Sequence, residues 1–369
     1  MGLKQVPSGC ITALVTPFDE KGEVDFKGLK KNVEFQISQG IKGVVPTGTT
    51  GESPTLNPSD HLKVIDETIE IVQGRVFILA GCGSNSTREA RLYTEFVAEL
   101  GADGVLLVDC YYNGPSSLEL RKEYYEPIAK QFSNLAIVPY IIPQRTGCAL
   151  HPADLALLAL KYPNLSAVKE ASGNMERVKE IRDLAPNNFK IFCGDDNDVY
   201  HMMSDIRIMA SGVISVIANL APKGIQTICE LFHQYKGGDS EEVKKALKVF
   251  EALKPLFEVV TIQDGERNEK IEKISAKMEI VPERVIIYDK FRNPVPIKTM
   301  MQGLGMPSGS CRPPLGKMTK YGVDKVRDAL RTVWEKYPEA LKPIEDFYGI
   351  NINARLNDDN IWNNLMYQD

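Results

Sequence analysis

One lysine in this sequence stands where a covalent reaction with a carbonyl compound could take place. Residues 165–174 read Leu-Ser-Ala-Val-Lys-Glu-Ala-Ser-Gly-Asn, which predicts a strand that ends in a Gly-Asn turn. By strand alternation Lys169 shares one face with Ala167 and Ala171. Burial among such small side chains would favour a neutral amine, which can attack a carbonyl carbon. Taken alone, the segment favours a packing lysine whose stem is buried and whose charged end reaches water.

The predicted ends of other strands carry polar residues that could act with this lysine. Residues 47–53 read Thr-Gly-Thr-Thr-Gly-Glu-Ser, which predicts a tight turn with exposed N–H groups, suited to a small carboxylate. The same composition is also typical of an ordinary strand-to-helix turn. Residues 111–116 carry a tyrosine pair, and residues 139–147 carry Tyr140 and Arg145. Together with a lysine, these groups can form a Schiff base, transfer protons and bind a carboxylate.

The elements that must position these residues are short apolar runs that alternate with amphipathic or charged segments. Such runs are expected of parallel strands buried on both faces. Repeated strand–helix units favour a closed (β/α)8 TIM barrel, an α/β fold, over an open doubly wound sheet, because residues 14–18 lack a glycine-rich phosphate turn. In such a barrel the residues that follow the strands converge on one mouth. The predicted strands are 11–17, 43–47, 76–81, 104–109, 136–142, 166–171, 191–194 and 212–218.

Beyond residue 220 the sequence predicts a C-terminal helical extension. Residues 221–262 have helical spacing, and residues 266–278 carry the i,i+4 charge pairs Glu266–Lys270 and Glu269–Lys273. An apolar stripe in the second segment (Ile271, Ile274 and Met278) predicts a helix that packs on its own chain. A turn is predicted at 291–296, with helices resuming near Asp324.

The same patterns predict the domain organisation. Residues 1–235 form a catalytic barrel, and residues 236–350 form a helical domain with a charged insertion near 263–290. Residues 351–369, rich in Asn and Asp, form a polar tail that is either disordered or an arm on a neighbouring subunit.

Composition excludes several classes of protein. The 369 residues carry a net charge of −5, with 43% hydrophobic and 25% charged residues, so nothing suggests binding to nucleic acid or to an anionic membrane. There is no apolar run long enough to span a bilayer and no signal-peptide pattern at the start, which predicts a cytoplasmic protein. The seven cysteines lack a CxxC spacing and the four histidines lack HExxH, so no metal site is predicted.

The sequence resembles the pyruvate-dependent class I aldolase family typified by dihydrodipicolinate synthase and N-acetylneuraminate lyase. The resemblance extends from about residue 9 to residue 235 and resumes at residues 293–298, with its motifs in the family's order. The matching segments are Gly48-Thr-Thr-Gly-Glu-Ser53, Tyr111-Tyr-Asn113 with Pro115-Ser116, Tyr140 with Arg145-Thr-Gly147, Val168-Lys-Glu-Ala171 with Gly173-Asn174, Gly194-Asp-Asp196, Gly212-Val-Ile-Ser-Val216 and Asn293-Pro-Val-Pro-Ile-Lys298.

This resemblance implies a role for each matching residue. Lys169 would form the Schiff base with pyruvate, Tyr140 would donate and accept protons at the imine, and Thr49 would link Tyr140 to Tyr112 of a neighbouring subunit. The loop with Thr49 and Thr50 would bind the pyruvate carboxylate. Further substrate-binding residues would be Arg145, for the carboxylate of the second substrate, and Gly194 and Ile214, which would line the pocket. The resemblance implies no cofactor besides the covalent lysine–pyruvate imine, no metal, and a homodimer or homotetramer.

The second substrate is left with alternatives. The tyrosine pair and Arg145 favour a synthase that condenses pyruvate with L-aspartate semialdehyde to 4-hydroxy-tetrahydrodipicolinate, in lysine biosynthesis through diaminopimelate. The changed wall at residues 141–144 and the pair Asp109-Cys110 depart from the family pattern, so a 2-keto-3-deoxy sugar acid aldolase or an N-acetylneuraminate-type lyase is the alternative. A third hypothesis is a catalytically inactive barrel used for binding.

The resemblance also implies an effector site for lysine. The residues that correspond to it are Ser53, His61, Asn85, Glu89 and Tyr111. Glu89 could pair with an ammonium group, although Pro54 and Pro58 replace residues common at that site. The same residues are equally compatible with a solvated interface between subunits.

Overall fold

The apolar runs of the sequence form the strands of a closed parallel barrel. In the computed structural model, which describes residues 2–234, 240–274 and 280–368, eight strands pair in sequence order and β8 closes on β1. This confirms the predicted TIM barrel, and each strand lies within a few residues of its predicted run. The strands are β1 Gly9–Ala13, β2 Gly43–Val45, β3 Phe77–Gly81, β4 Gly104–Val108, β5 Ala136–Ile141, β6 Ala167–Glu170, β7 Lys190–Cys193 and β8 Gly212–Ser215.

The barrel interior is a packed core and not a channel. Strand alternation turns every second side chain inward, and these residues form a separate apolar cluster that includes Leu79, Val138, Phe192 and Ile214. The intervening side chains face the helices and join a larger apolar cluster that surrounds the barrel. Ala167 belongs to the inner cluster, so Lys169, two residues later, also points inward but nearer the carboxyl end.

Helices cover the outside of the barrel, as strand–helix units require. Most begin at a side-chain cap; for example, Asp25 accepts from the Gly28 N–H and Asn174 accepts from the Arg177 N–H. The helices of this part are α1 Phe26–Ser38, α2 Pro58–Val72, α3 Thr87–Glu99, α4 Ser117–Glu119, α5 Glu126–Gln131, α6 Pro143–Thr146, α7 Pro152–Lys161, α8 Met175–Leu184, α9 Val199–Ser204 and α10 Pro222–Gln234. A π-helical segment, Leu120–Tyr125, connects α4 to α5.

The C-terminal extension is helical except for one hairpin. Its elements are α11 Glu241–Phe257, β9 Ile262–Ile274, β10 Ile280–Phe291, α12 Val295–Leu304, α13 Lys320–Lys336, α14 Lys342–Tyr348, α15 Ile352–Asn357 and α16 Asp359–Asn363. Helices resume directly after the predicted turn, at Val295, and not near Asp324. None of the helices in the described part of the chain is long and apolar enough to cross a membrane.

The helix predicted at 266–278 is wrong for residues 266–274, because these residues belong to strand β9 of an antiparallel hairpin, and residues 275–278 lie outside the described residues. Strands β9 and β10 pair from Ile274–Ile280 to Ile262–Phe291, with a register shift near Asp289. Residues i and i+4 share a face in a strand as well as in a helix, so the pairs Glu266–Lys270 and Glu269–Lys273 do not discriminate between the two. Of the predicted apolar stripe, Ile271 is exposed on β9.

The tail is neither disordered nor detached from its own chain. Helices α15 and α16 pack on α12 and α13 and bury Ile352, Leu356 and Trp362. The Trp362 indole nitrogen donates to the Arg355 carbonyl at 3.0 Å, and the Arg327 guanidinium lies 5.6 Å from its ring centre. The expectation of a disordered segment or an arm on a neighbouring subunit is therefore wrong for residues 352–363.

Candidate active site

Lys169 lies at the carboxyl end of β6, at the base of a cavity in the barrel mouth. Its side chain is only 4% exposed, and Nζ lies 4.1 Å from the centre of the Tyr140 ring. The register of β5 and β6 pairs Tyr140 with Lys169, which fixes this contact. The cavity has a volume of about 240 Å³ and is lined by Lys169, Tyr140, Thr49, Thr50 and Arg145, among others. The lysine amine therefore ends in an enclosed site and not in bulk water.

The backbone beside Lys169 is fixed by polar contacts on its outer side. Glu170 points away from the cavity, pairs with Arg177 at 3.1 Å and accepts a hydrogen bond from the Ser172 N–H at 2.9 Å. The Gly194 N–H donates to the Glu170 carbonyl at 2.8 Å, and a Cβ at Gly194 would lie 2.5 Å from the Cβ of Ala171. Gly194 lines the cavity, as predicted, and only glycine allows this approach of β7 to β6.

The loop after β2 presents backbone N–H groups to the same cavity. Thr47 and Glu52 both have left-handed backbone angles, with φ of 53° and 58°, so the loop folds back over the strand end. Among the described residues, the N–H groups of Thr49 and Thr50 have no backbone acceptor. Thr50 is buried, and its Oγ1 accepts from Asn293 Nδ2 at 3.0 Å. Two adjacent N–H donors at this position are suited to a carboxylate.

Arg145 projects from α6 into the mouth. Its Nη2 donates to the Asn293 carbonyl at 2.9 Å. Although the residue as a whole is exposed, burial of the guanidinium lowers the pKa of Arg145; the neighbouring Arg292 lowers it further and the Tyr140 phenol opposes this. Arginine stays charged under such a shift, so the mouth carries a positive charge that favours an anionic ligand.

Three residues of the site received no role from the sequence. Asn293 and Arg292 line the cavity from the C-terminal extension, where the sequence predicts a turn and the resemblance at residues 293–298 implies no role for either residue. Asp196 accepts from Ser215 Oγ at 2.5 Å and from the Val216 and Ile217 N–H groups, which ties the end of β7 to the end of β8. Burial raises the pKa of Asp196 to about 6.

Two predicted site residues lie elsewhere. Ile214 belongs to the apolar cluster inside the barrel, and Val216 lines the cavity on that side. Tyr112 is 92% exposed, with a left-handed φ of 77°. It lines neither the cavity that contains Lys169 nor a second cavity beside it, described below. Within one chain, Tyr112 is therefore not brought to Thr49 and Tyr140.

The predicted effector residues gather beside the catalytic cavity. His61 stacks on Tyr93 with 4.7 Å between ring centres, and Tyr93 donates to Glu89 at 3.4 Å. Burial raises the pKa of Tyr111 and the nearby Glu89 raises it further, while a hydrogen bond with the Asn85 backbone opposes this. Burial lowers the pKa of His61, whose Nε2 lies 2.7 Å from the Gly81 carbonyl.

A second cavity of about 210 Å³ lies between this cluster and the cavity that contains Lys169. Ser53 and Tyr111 line it together with Thr49, Tyr140 and Arg145, which also line the catalytic cavity. Of the five predicted effector residues, Ser53 and Tyr111 therefore face this second cavity, and His61, Asn85 and Glu89 do not line it.

Comparisons with known proteins agree with this geometry. The model of the dihydrodipicolinate synthetase family matches residues 6–265. A curated 4-hydroxy-tetrahydrodipicolinate synthase of Methanococcus vannielii is 38% identical over 325 residues, which cover 88% of this chain and 98% of the relative. A synthase of the same name from Methanocaldococcus jannaschii is 37% identical, covering 85% of this chain and 93% of the relative.

Solved structures are similar over the same extent. The 4-hydroxy-tetrahydrodipicolinate synthase of Methylacidiphilum fumariolicum superimposes with a TM-score of 0.77 at 33% identity, covering 91% of this chain and 99% of that one. A dihydrodipicolinate synthase of Cyanidioschyzon merolae with lysine bound has a TM-score of 0.76 at 30% identity, covering 89% and 99%.

Proposed function

The chain belongs to the dihydrodipicolinate synthetase family and is an enzyme of the pyruvate-dependent class I aldolase type, and we propose that it condenses pyruvate with L-aspartate semialdehyde to 4-hydroxy-tetrahydrodipicolinate. The observation that carries the proposal is the buried Lys169 amine, 4.1 Å from the Tyr140 ring at the base of the barrel mouth. The curated relatives supply the identity of the reaction.

The first half of the reaction activates pyruvate. The Lys169 amine attacks the ketone carbon and water leaves, which gives an iminium ion. The positive nitrogen accepts the electron pair when the adjacent methyl group loses a proton, so an enamine forms. The Tyr140 ring face stabilises the cation by a cation–π contact, and its hydroxyl group transfers protons at the imine. The N–H groups of Thr49 and Thr50 hold the pyruvate carboxylate throughout.

The second half joins the two substrates. The enamine carbon attacks the aldehyde carbon of L-aspartate semialdehyde, whose carboxylate is bound by Arg145 at the mouth. The carbon–oxygen double bond of the aldehyde becomes a single bond, its oxygen takes up a proton to form the hydroxyl group, and an iminium on Lys169 is restored. The product ring contains nitrogen, so the amino group of the substrate replaces Lys169 on that carbon and frees the enzyme.

Reductive trapping tests the covalent step. Incubation with pyruvate and borohydride should add the mass of one reduced pyruvate to the peptide that contains Lys169. The variant Lys169→Met should gain no adduct, whereas Lys179→Met, which changes a surface lysine on α8, should behave as the wild type. An unmodified wild-type protein, together with an unchanged melting temperature in pyruvate, would instead support an inactive barrel.

A panel of aldehydes tests the second substrate. With pyruvate held constant, L-aspartate semialdehyde should be turned over faster than glyceraldehyde or N-acetylmannosamine, and Arg145→Ala should selectively impair the first reaction. Faster turnover of either sugar-derived aldehyde would assign the chain to the sugar acid aldolase or N-acetylneuraminate-type lyase alternative.

We further propose that lysine binds at the cluster of Glu89, Asn85 and Tyr111 beside the second cavity. The Glu89 carboxylate can pair with an ammonium group, and Thr49, Tyr140 and Arg145 connect that cavity to the catalytic one. Lysine should inhibit the wild type and should inhibit Glu89→Gln at least tenfold less strongly. Equal inhibition of both proteins by lysine, or no inhibition of either protein, would contradict the assignment of this cluster as a lysine site.

A further inference from the structure

Two arginines from distant parts of the chain meet at the mouth of the catalytic cavity. Arg145 lies on α6, and Arg292 directly follows β10. Both line the cavity. The family model matches residues 6–265, so Arg292 lies outside the matched region. It stands at the base of the hairpin β9–β10, next to the Asn-Pro-Val-Pro segment.

A reciprocal pair of hydrogen bonds holds the two arginines side by side. Arg145 Nη2 donates to the carbonyl of Asn293 at 2.9 Å, and Arg292 Nη1 donates to the carbonyl of Gln144 at 3.3 Å. Each guanidinium therefore binds the backbone next to the other arginine. Because like charges repel, this arrangement keeps together two groups that would otherwise separate.

In the described part of the chain, no carboxylate forms a salt bridge with this pair. Neither Arg145 nor Arg292 is paired with an acidic side chain there, and Lys290 adds another positive charge to the wall beside them. The acidic residues of that wall are Asp195 and Asp196. Asp196 already accepts hydrogen bonds from Ser215, Val216 and Ile217.

Asp195 is exposed at the rim, where its carboxylate accepts from the Asn197 N–H at 3.0 Å. Burial lowers the pKa of Arg145 and the neighbouring Arg292 lowers it further, so the charge of Arg145 is held at a cost. An anion bound between the two guanidinium groups would offset that cost.

We propose that Arg145 and Arg292 together clamp the carboxylate of the aldehyde substrate, which makes Arg292 a specificity-determining residue. Planar guanidinium groups match the two oxygens of a carboxylate, and two of them can occupy all of its lone-pair directions. The inference rests on the proposed function, since it names the group of the second substrate that this wall recognises. Lys290, exposed at the rim, adds to the attraction of the approaching anion.

The position of Asn293 relates the clamp to the pyruvate end of the site. Its side chain donates to Thr50 Oγ1 at 3.0 Å, while its carbonyl accepts from Arg145. One residue thus fixes the distance between the loop that binds the first carboxylate and the arginines that bind the second. The clamp and the enamine carbon are held in one frame, as a condensation requires.

Steady-state kinetics of Arg292→Gln test the clamp. The KM for L-aspartate semialdehyde should rise about 10- to 100-fold, the size expected for one charge-assisted hydrogen bond. The KM for pyruvate and the borohydride-trapped adduct on Lys169 should change less than about twofold, since Arg292 is proposed to bind only the aldehyde. Arg292→Lys should recover part of the loss because it restores the charge without the planar fork.

Arg284→Gln is the matched control. Arg284 is an exposed arginine on β10 that does not line the cavity, so its loss removes the same charge from the same hairpin. Its KM values should equal those of the wild type. A second comparison uses an uncharged aldehyde of similar length, for which Arg292→Gln should leave kcat/KM unchanged.

The outcomes separate this inference from the proposed function. Failure of the wild type to turn over L-aspartate semialdehyde would contradict the proposed function, and the Arg292 comparison would then be made on the aldehyde that is turned over. An equal KM for wild type and Arg292→Gln with any carboxylate-bearing aldehyde would overturn the clamp alone. Turnover restricted to uncharged aldehydes would overturn both the clamp and the proposed function, whereas an equal loss for pyruvate and aldehyde would overturn the clamp alone.

Discussion

At the scale of single residues, Lys169 owes its environment to the alternation of one short strand. The inward face of β6 places its amine under the Tyr140 ring, and the outward face places Glu170 against Arg177. Glu170 is buried on the outer face of β6 and the Lys169 amine lies on the inner face. A shift of register by one residue would exchange these two side chains, so β6 has no alternative register. The proposed nucleophile is therefore positioned by the same contacts that hold the barrel together.

Asp109 is a second residue whose burial has a measurable consequence. It follows β4, and its N–H donates to the carbonyl of Tyr140 at 3.1 Å. Its carboxylate accepts from the Tyr125 hydroxyl at 2.6 Å and from the Leu150 N–H at 3.1 Å. Burial raises the pKa of Asp109 from 3.8 to about 7, against the opposing effect of these hydrogen bonds.

This shift makes stability depend on pH. Between about pH 4 and pH 7 the folded protein holds a proton on Asp109 that the unfolded chain releases, so the free energy of unfolding falls as pH rises through this range. Three pKa units correspond to ~4 kcal/mol. In Asp109→Asn that dependence should disappear, alongside a pH-independent loss of ~1–3 kcal/mol for the disturbed hydrogen bond to Leu150.

Urea unfolding at pH 5 and at pH 8 measures the difference. The decrease in unfolding free energy between the two pH values should be smaller in Asp109→Asn than in the wild type. Asp346→Asn, which changes an exposed carboxylate on α14, should show the wild-type decrease. The same decrease in all three proteins would mean that Asp109 does not carry the shift.

At the scale of elements, the loop after β2, which is proposed to bind pyruvate, is connected to the C-terminal extension by a buried ion pair. Glu52 and Lys298 lie 2.5 Å apart, with side chains 0% and 1% exposed. Glu52 also accepts from the Arg312 N–H, and Lys298 donates to the carbonyls of Thr16 and Ser310. Burial lowers the pKa of Lys298, and Glu52 opposes this. Helix α12 thereby anchors the loop that follows β2.

Removing one partner should therefore cost more than removing both. Lys298→Met leaves an uncompensated carboxylate in the core and should lower the free energy of unfolding by ~3–5 kcal/mol. The double variant Glu52→Gln/Lys298→Met should recover part of that loss, because no isolated charge remains. Denaturant unfolding of the two single variants and the double variant gives the coupling energy. If the loss of unfolding free energy in the double variant equals the sum of the losses in the two single variants, Glu52 and Lys298 are not coupled.

The barrel was predictable from its elements, and the hairpin and the tail were not. Uninterrupted apolar runs of strand length that are separated by helices are typical of parallel strands buried on both faces. In the hairpin, Glu266 and Lys270 satisfy the spacing of a helix and of a strand face alike, while the run Val285-Ile-Ile-Tyr288 held the strand signal. In the tail, polar composition masked the buried Ile352, Leu356 and Trp362, which lie in segments that pack on α12 and α13.

At the scale of the whole molecule, the site combines loops that are close only after the barrel closes. Lys169, Tyr140, Thr49 and Arg145 could be proposed from the sequence, since each lies at or after a predicted strand end. Asn293 and Thr50 are separated by 243 residues, and no local pattern relates them. The same holds for Arg292, whose place at the mouth depends on where the extension returns to the barrel.

Tyr112 raises the question of whether one chain holds a complete site. Its ring is 92% exposed, and its φ of 77° is uncommon for a residue with a bulky side chain. Such a conformation is kept where surrounding contacts or function require it. We propose that Tyr112 reaches the active site of a neighbouring subunit, so that a dimer is the smallest active unit.

Hybrid dimers test this proposal. Tyr112→Phe should lower kcat about 10²–10⁴-fold through loss of a proton relay, and Lys169→Met should be inactive. After subunit exchange of an equal mixture, half of the dimers are mixed, and each mixed dimer has one site with Lys169 from one chain and Tyr112 from the other. Activity should recover to roughly a quarter of the wild-type value. If native mass spectrometry detects mixed dimers but activity does not recover, Tyr112 does not act across the interface.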